Sequence, residues 1–258
     1  MPTGFRFHRL AAAAALGLAL ATPATVAVAE DFSAAQRAQI ETIVRDYLLN
    51  NPELLQQVMI ELEKKQTVAA ASKQKEVIAD NAKALFQSPR HVTLGNPQGD
   101  VTFVEFFDYN CGYCKRAMGD MMELLKDPKL KFVLKEFPVL GPGSIEAAQV
   151  AVAVRMQDPS GKKYLDFHQR LLSGRGQADK ARAMAAAKAA GLDVARLEKD
   201  LASDEIRASL QESFKLAEAL GLNGTPSYVV GNEVLIGAVG LAALREKVNL
   251  ARCGNIAC

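Results

Sequence analysis

Cys111-Gly112-Tyr113-Cys114 is the stretch of this sequence whose residue types and spacing can do chemistry. Two thiols three positions apart can close a disulfide, exchange it with another thiol pair, or bind a soft metal. The apolar run Val101–Phe107 ahead of them reads as a strand buried on both faces, and Asp108–Asn110 as a short polar break. Met118, Met121, Met122 and Leu125 behind them mark one face of a helix. Cys111 then falls where the first backbone N–H groups of that helix lack partners and its dipole favours negative charge. Its thiolate is stabilised and its pKa lowered, so Cys111 is expected to attack and Cys114, one turn on, to resolve.

The remaining cysteines, Cys253 and Cys258, flank Gly254–Ala257 at the end of the chain. Three readings stay open for them: a small structural disulfide, which is preferred, a second redox pair, or a copper-binding dithiol. A zinc site built from both cysteine pairs is the weaker alternative, because one pair opens a helix after a buried strand. His8, His91 and His168 are scattered and build neither a metal cluster nor a hydrolase triad. Gly174-Arg175-Gly176 is too short for a phosphate loop and reads as a turn.

Glu105 stands inside the apolar strand, where an ionisable group is costly unless paired or functional. Lys135, in the next expected strand, is the preferred counter-charge, with Lys131 as the alternative by periodicity.

The elements that must hold these groups follow from the pattern. Arg6 and Arg9, the apolar run Leu10–Ala21 and the small residues Ala27-Val28-Ala29 read as a secretory signal peptide over residues 1–29. Of 31 basic residues Arg6 and Arg9 lie in that leader, so the remainder balances the 29 acidic residues. No charge excess points to nucleic acid or to an anionic membrane. Hydrophobic residues make up 49% of the 258, which excludes a disordered chain.

Ser33 is a candidate N-cap, followed by Ile40, Ile43, Val44, Tyr47 and Leu48 at helical spacing. Asn51-Pro52 starts a second helix carrying Leu54, Leu55, Val58, Met59 and Leu62. Between Glu63 and Glu76 the only large apolar residue is Val68, and a weak stripe resumes at Val77, Ile78, Leu85 and Phe86. Residues 30–62 are therefore read as an association element and 63–90 as a helical linker, with helices folded back on the domain as the alternative. From His91 a compact domain is expected to Cys258. It has strands at His91–Leu94, Val101–Phe107 and Leu130–Phe137, helices over 144–222, a hairpin of Ser227–Val230 with Glu233–Ile236, and a last helix from Leu241.

Glu105-Phe106-Phe107 six to four residues before Cys-Gly-Tyr-Cys, together with Gly224-Thr225-Pro226 before the last hairpin, resembles the DsbA-like branch of the thioredoxin superfamily over about residues 91–251. The N-terminal helices resemble more particularly the ScsC group, exported proteins associated with suppression of copper sensitivity. The implied fold class is α/β, a thioredoxin fold with an inserted helical subdomain, preceded by an N-terminal helical extension. The resemblance implies that Cys111 and Cys114 form the redox-active disulfide. It makes Glu105 the buried acid that moves the proton of the resolving thiol; a purely structural Glu–Lys pair is the other reading.

By the same resemblance Pro226 follows a cis bond opposite the cysteines, and Thr225 pairs with the substrate backbone. No cofactor or metal is implied. The expected partners are unfolded or wrongly bridged exported proteins and a membrane redox partner, in a periplasmic setting. A homo-oligomer formed through residues 33–62 is expected as well. Thr225 and the extension favour a disulfide isomerase. A monomeric dithiol oxidase and a copper-binding or holdase protein are the alternatives.

Overall fold

The computed structural model describes residues 32–258, so the expected leader over residues 1–29 lies outside it. The chain divides into two units, one ending at Ile60 and one running from Glu61 to Cys258.

In the first unit, α1 (Ala34–Asn50) begins at Ser33 with a capping box. The Ser33 hydroxyl accepts from Gln36 N while Gln36 Oε1 accepts from Ser33 N, so two orphan donors of the helix start are satisfied. No residue of α1 is buried. Its apolar residues Ile40, Ile43, Val44 and Tyr47 are exposed, as are Leu55, Val58, Met59 and Ile60 at the start of α2 (Pro52–Asp80).

In the second unit the end of α2 and the short α3 (Ala82–Phe86) do not behave as a linker. The helix breaks at Asn81, whose side-chain amide donates to Val77 O. Ile78 and Leu85 are buried with Val104, Phe106, Val133 and Leu216, and Val234 N donates to Gln74 Oε1. The weak stripe Val77–Phe86 is thus the cover of one sheet face. The expected boundary at His91 moves upstream, because that face would otherwise be left in water.

The sheet has five strands: β1 (Val92–Gly95), β2 (Val101–Phe107), β3 (Leu130–Glu136), β4 (Ser227–Val230) and β5 (Glu233–Ile236). They lie in the order β1-β3-β2-β4-β5. β2 and β3 are parallel and joined through α4 (Gly112–Leu124), as the apolar runs and intervening helix predict. The other neighbours pair antiparallel. Gly231 opens the β4–β5 turn at φ +58°, a conformation that glycine adopts without steric cost.

One face of the sheet carries Phe103, Phe107, Phe132, Leu134 and Tyr228 beneath α4 and α10 (Leu241–Cys253). The helical insertion joins this same core: α5 (Pro142–Gln157), α6 (Lys162–Ser173), α7 (Lys180–Ala189) and α8 (Val194–Asp200). α5 is buried almost all round through its Ala and Val residues, which is why its sequence shows no amphipathic stripe. α9 (Asp204–Ala219) packs with α3 on the opposite face.

Candidate active site

The turn from β2 into α4 is built by Asp108. Its carboxylate is buried and saturated: Oδ1 accepts from Asn110 N at 2.7 Å and Ser144 Oγ at 2.7 Å. Oδ2 accepts from Val139 N at 2.8 Å and Leu140 N at 2.9 Å. The Asp108 carbonyl also accepts from Cys111 N. Asn110 extends the frame to the insertion, donating to Ser144 Oγ and Ala178 O and accepting from Ala178 N at 2.6 Å. In the sequence both residues read as a polar break, because the other side-chain partners of each lie more than 30 positions away.

Cys111 is the N-cap of α4, and its Sγ accepts from Cys114 N at 3.3 Å. Its pKa is lowered to about 5, first by the hydrogen bond from the Cys114 thiol, then by the Thr225 side chain and the backbone N–H groups of Cys114 and Tyr113, against the opposing effect of burial. The Cys111 thiol also lies 3.1 Å from Thr225 O. A carbonyl only accepts, so that contact belongs to the protonated form and is given up on ionisation. Cys114 is fully buried, and its pKa is pushed far up by donating to Cys111, by burial and by Glu105. The two thiols are thus driven apart: one ionised at neutral pH, the other protonated.

Glu105 sits in β2 opposite Leu134 of β3 and Tyr228 of β4. Burial first, and then the negative charges of Cys111 and Asp120, raise its pKa to about 8. Asp120, on α4, carried no signal in the sequence beyond its charge. Neither lysine is the counter-charge of Glu105. In the parallel β2–β3 register Glu105 is level with Leu134, so Lys131 and Lys135 point to the other face. Lys135 Nζ bonds Glu212 Oε1 and Lys131 Nζ bonds Phe86 O. The expected Glu–Lys pair is corrected on this ground: a slip of one residue in reading the register exchanges the faces.

Thr225–Pro226 is cis and brings the Thr225 carbonyl against Cys111. Gly112 and Tyr113 are exposed at the helix start, with the Arg116 guanidinium 4.3 Å from the centre of the Tyr113 ring. Around the same turn Val139, Leu140 and Ile145 present exposed apolar side chains.

Behind the site a buried chain of hydrogen bonds links Tyr109, Tyr164, His168 and Glu136. Burial lowers the His168 pKa to about 3, so its ring is neutral. His168 looked isolated in the sequence, yet it packs edge-on against Phe107. Cys253 and Cys258 are bonded to each other at the end of α10, away from the Cys111 turn in sequence and exposed.

A mixed sheet with a helical insertion, a helix-capping thiol, a buried second thiol and a cis-proline beside them define a thioredoxin-like thiol–disulfide oxidoreductase. The chain belongs to the DSBA-like thioredoxin domain family, whose model matches residues 102–249. Residues 36–69 match the model of the copper resistance protein ScsC N-terminal domain.

Among solved structures, a thioredoxin-like oxidoreductase from Silicibacter pomeroyi is 43% identical with a TM-score of 0.62, over 66% of this chain and 96% of that one. Proteus mirabilis ScsC in a transitional conformation is 30% identical with a TM-score of 0.63, over 86% of this chain and 98% of that one. A stretch of 164 residues, 62% of this chain, is 28% identical to the Na(+)/H(+) antiporter NhaA 1 of Salinispora arenicola. The chain spans 24% of that antiporter's length. Among the described residues no helix is long and apolar enough to cross a membrane.

Proposed function

We propose that this protein is an exported disulfide isomerase that works on wrongly bridged proteins in the periplasm. The carrying observation is the split between two adjacent thiols, with Cys111 held near pKa 5 at a helix start and Cys114 buried and protonated. Cys111 thiolate attacks a substrate disulfide, forms a mixed disulfide and releases one substrate thiolate. That thiolate then attacks elsewhere in the substrate until Cys111 is expelled, so an isomerisation returns the enzyme reduced. Where the substrate stalls, Cys114 loses its proton and attacks Cys111, releasing the substrate as a dithiol. Glu105, whose pKa is raised to about 8 and whose charge acts on Cys114, is the group proposed to take that proton, in its ionised form.

The exposed side chains of Val139, Leu140 and Ile145 suit an unfolded chain, which brings apolar residues a folded one hides. The Thr225 backbone supplies a strand-like contact beside Cys111. The exposed apolar residues of α1 and early α2, with the match to the ScsC N-terminal model, support self-association through residues 33–62. Several reactive thiols held around one substrate raise the effective concentration of each. A membrane redox partner is needed to keep the pair reduced.

Refolding of scrambled ribonuclease by the full mature chain and by a chain starting at Glu61 tests this reading. Recovery of activity is expected from the full chain, with a weaker and monomeric response from the shortened one. Oxidation of reduced ribonuclease without any recovery of the scrambled form would make the protein an oxidase instead.

A further inference from the structure

A cavity of about 400 Å³ opens between α6 and α7 and is closed by the loop that joins them. Its wall includes Arg170, Gly174, Gly176, Ala178 and Arg182, with alanines of α7 behind them. Two residues of that wall are held by the residues flanking the cysteine pair. Lys115, next after Cys114, donates from Nζ to Gly174 O at 3.3 Å. Asn110, just before Cys111, exchanges hydrogen bonds with both the N–H and the carbonyl of Ala178. Two backbone segments of the cavity wall are therefore hydrogen-bonded to the residues that flank the reactive thiol.

Of the two arginines in its wall, one has a carboxylate partner and one has none among the described residues. Arg170 is paired with Asp166 at 2.9 Å, but Arg182 makes no ion pair among the described residues. The Arg182 guanidinium lies against Gly176, where a Cβ would come within 3.0 Å of Nη2, and Gly176 has φ +83°. Any other residue at 176 would be strained and would displace the guanidinium. Arg182 therefore sets a cation without a carboxylate partner among the described residues against the small apolar wall of Ala185, Ala186 and Ala189.

We propose that this cavity is a carboxylate subsite for the disulfide substrate of Cys111, of a size and charge to take the carboxylate of a peptide disulfide. This deepens the proposed thiol–disulfide exchange and rests on it. With oxidised glutathione as the probe, Cys111 thiolate attacks one sulfur, a mixed disulfide forms, and one glutathione leaves as thiolate. Cys114 then yields its proton and attacks Cys111, releasing the second glutathione. The protein dithiol is oxidised and one glutathione disulfide becomes two thiols.

The test measures oxidation rates of the reduced mature protein by oxidised glutathione and by hydroxyethyl disulfide, which has no charge. Arg182 is exposed, so charge reversal there leaves the core intact. Arg182→Glu is expected to slow the glutathione reaction by about fivefold and to leave the hydroxyethyl reaction within about twofold, with Arg182→Lys recovering part of the loss. Lys188→Glu makes the same change in net charge on α7 outside the cavity and is expected to change neither.

Equal slowing by Lys188→Glu, equal slowing with both disulfides, or an unchanged glutathione rate in Arg182→Glu would overturn the subsite while leaving the exchange activity standing. No reaction of the unsubstituted protein with either disulfide would remove both. Scrambled ribonuclease as a further substrate separates the sources of the carboxylate. Slowing with glutathione alone assigns the site to small peptides, and slowing with both substrates extends it to acidic side chains of proteins.

Discussion

Lys135 Nζ lies 3.1 Å from Glu212 Oε1, on the face of β3 turned away from Glu105. The lysine side chain is fully buried and its pKa is lowered by that burial, against the pull of Glu212. Replacing it with Met removes a buried charge and keeps the volume, which is often neutral for stability. Glu212→Leu leaves the buried ammonium without its nearest partner and is expected to cost about 3 kcal/mol. Urea unfolding of both variants checks the order. Neither is expected to shift the pH dependence of thiol exchange, because the pair does not face the cysteines.

The thiolate of Cys111 should be visible in its alkylation. With a pKa near 5, the rate with iodoacetamide is expected to be flat from pH 7 to 6 and to fall to half near pH 5. The sign for stability follows. The group's pKa is depressed on folding, so its contribution to the reduced form is complete above the ordinary thiol value and is lost as pH falls through about 5. An inflection near 8.5, the value of a free cysteine, would contradict the geometry at the start of α4.

Glu105 runs the other way. Its folded pKa is raised to about 8, so its favourable contribution is complete below the ordinary carboxylate value and is lost as pH rises through 8. Glu105→Gln is expected to be more stable than the parent at pH 9, by on the order of a few kcal/mol, and to differ little at pH 4. If Glu105 carries the Cys114 proton, the same variant slows breakdown of the mixed disulfide about tenfold or more while the first attack by Cys111 is unchanged. Rapid-quench measurement of the two steps separates them.

Asp108 is a structural requirement of the site, with four donors converging on one buried carboxylate. Asp108→Ala strands those donors, at about 1–3 kcal/mol for each that water cannot reach. A loss of more than 3 kcal/mol is expected, with Asp108→Asn losing less because one acceptor oxygen remains. Chemical denaturation of the reduced protein gives the comparison.

Much of this protein is written locally. Strand β2, the cysteine pair and α4 follow one another within 24 residues, and the pattern of that stretch gives both the fold's centre and its reactive thiol. The five helices of the insertion and the β4–β5 hairpin are legible for the same reason, since caps, glycines and apolar spacing are short-range signals. The cis Thr225–Pro226 bond was expected from family resemblance rather than from the residues alone, and the structure has it.

The class of chemistry and the thiol proposed to begin it are therefore legible along the chain, because a thiol at a helix start depends on its nearest neighbours. The tertiary structure decided which groups surround that thiol. Strand register turned Lys135 to Glu212, distant backbone closed on Asp108 and Asn110, and residues 77–86 became cover for the sheet. Those outcomes depend on which faces of separate elements meet, and a one-residue change of register, invisible in composition or periodicity, reverses them.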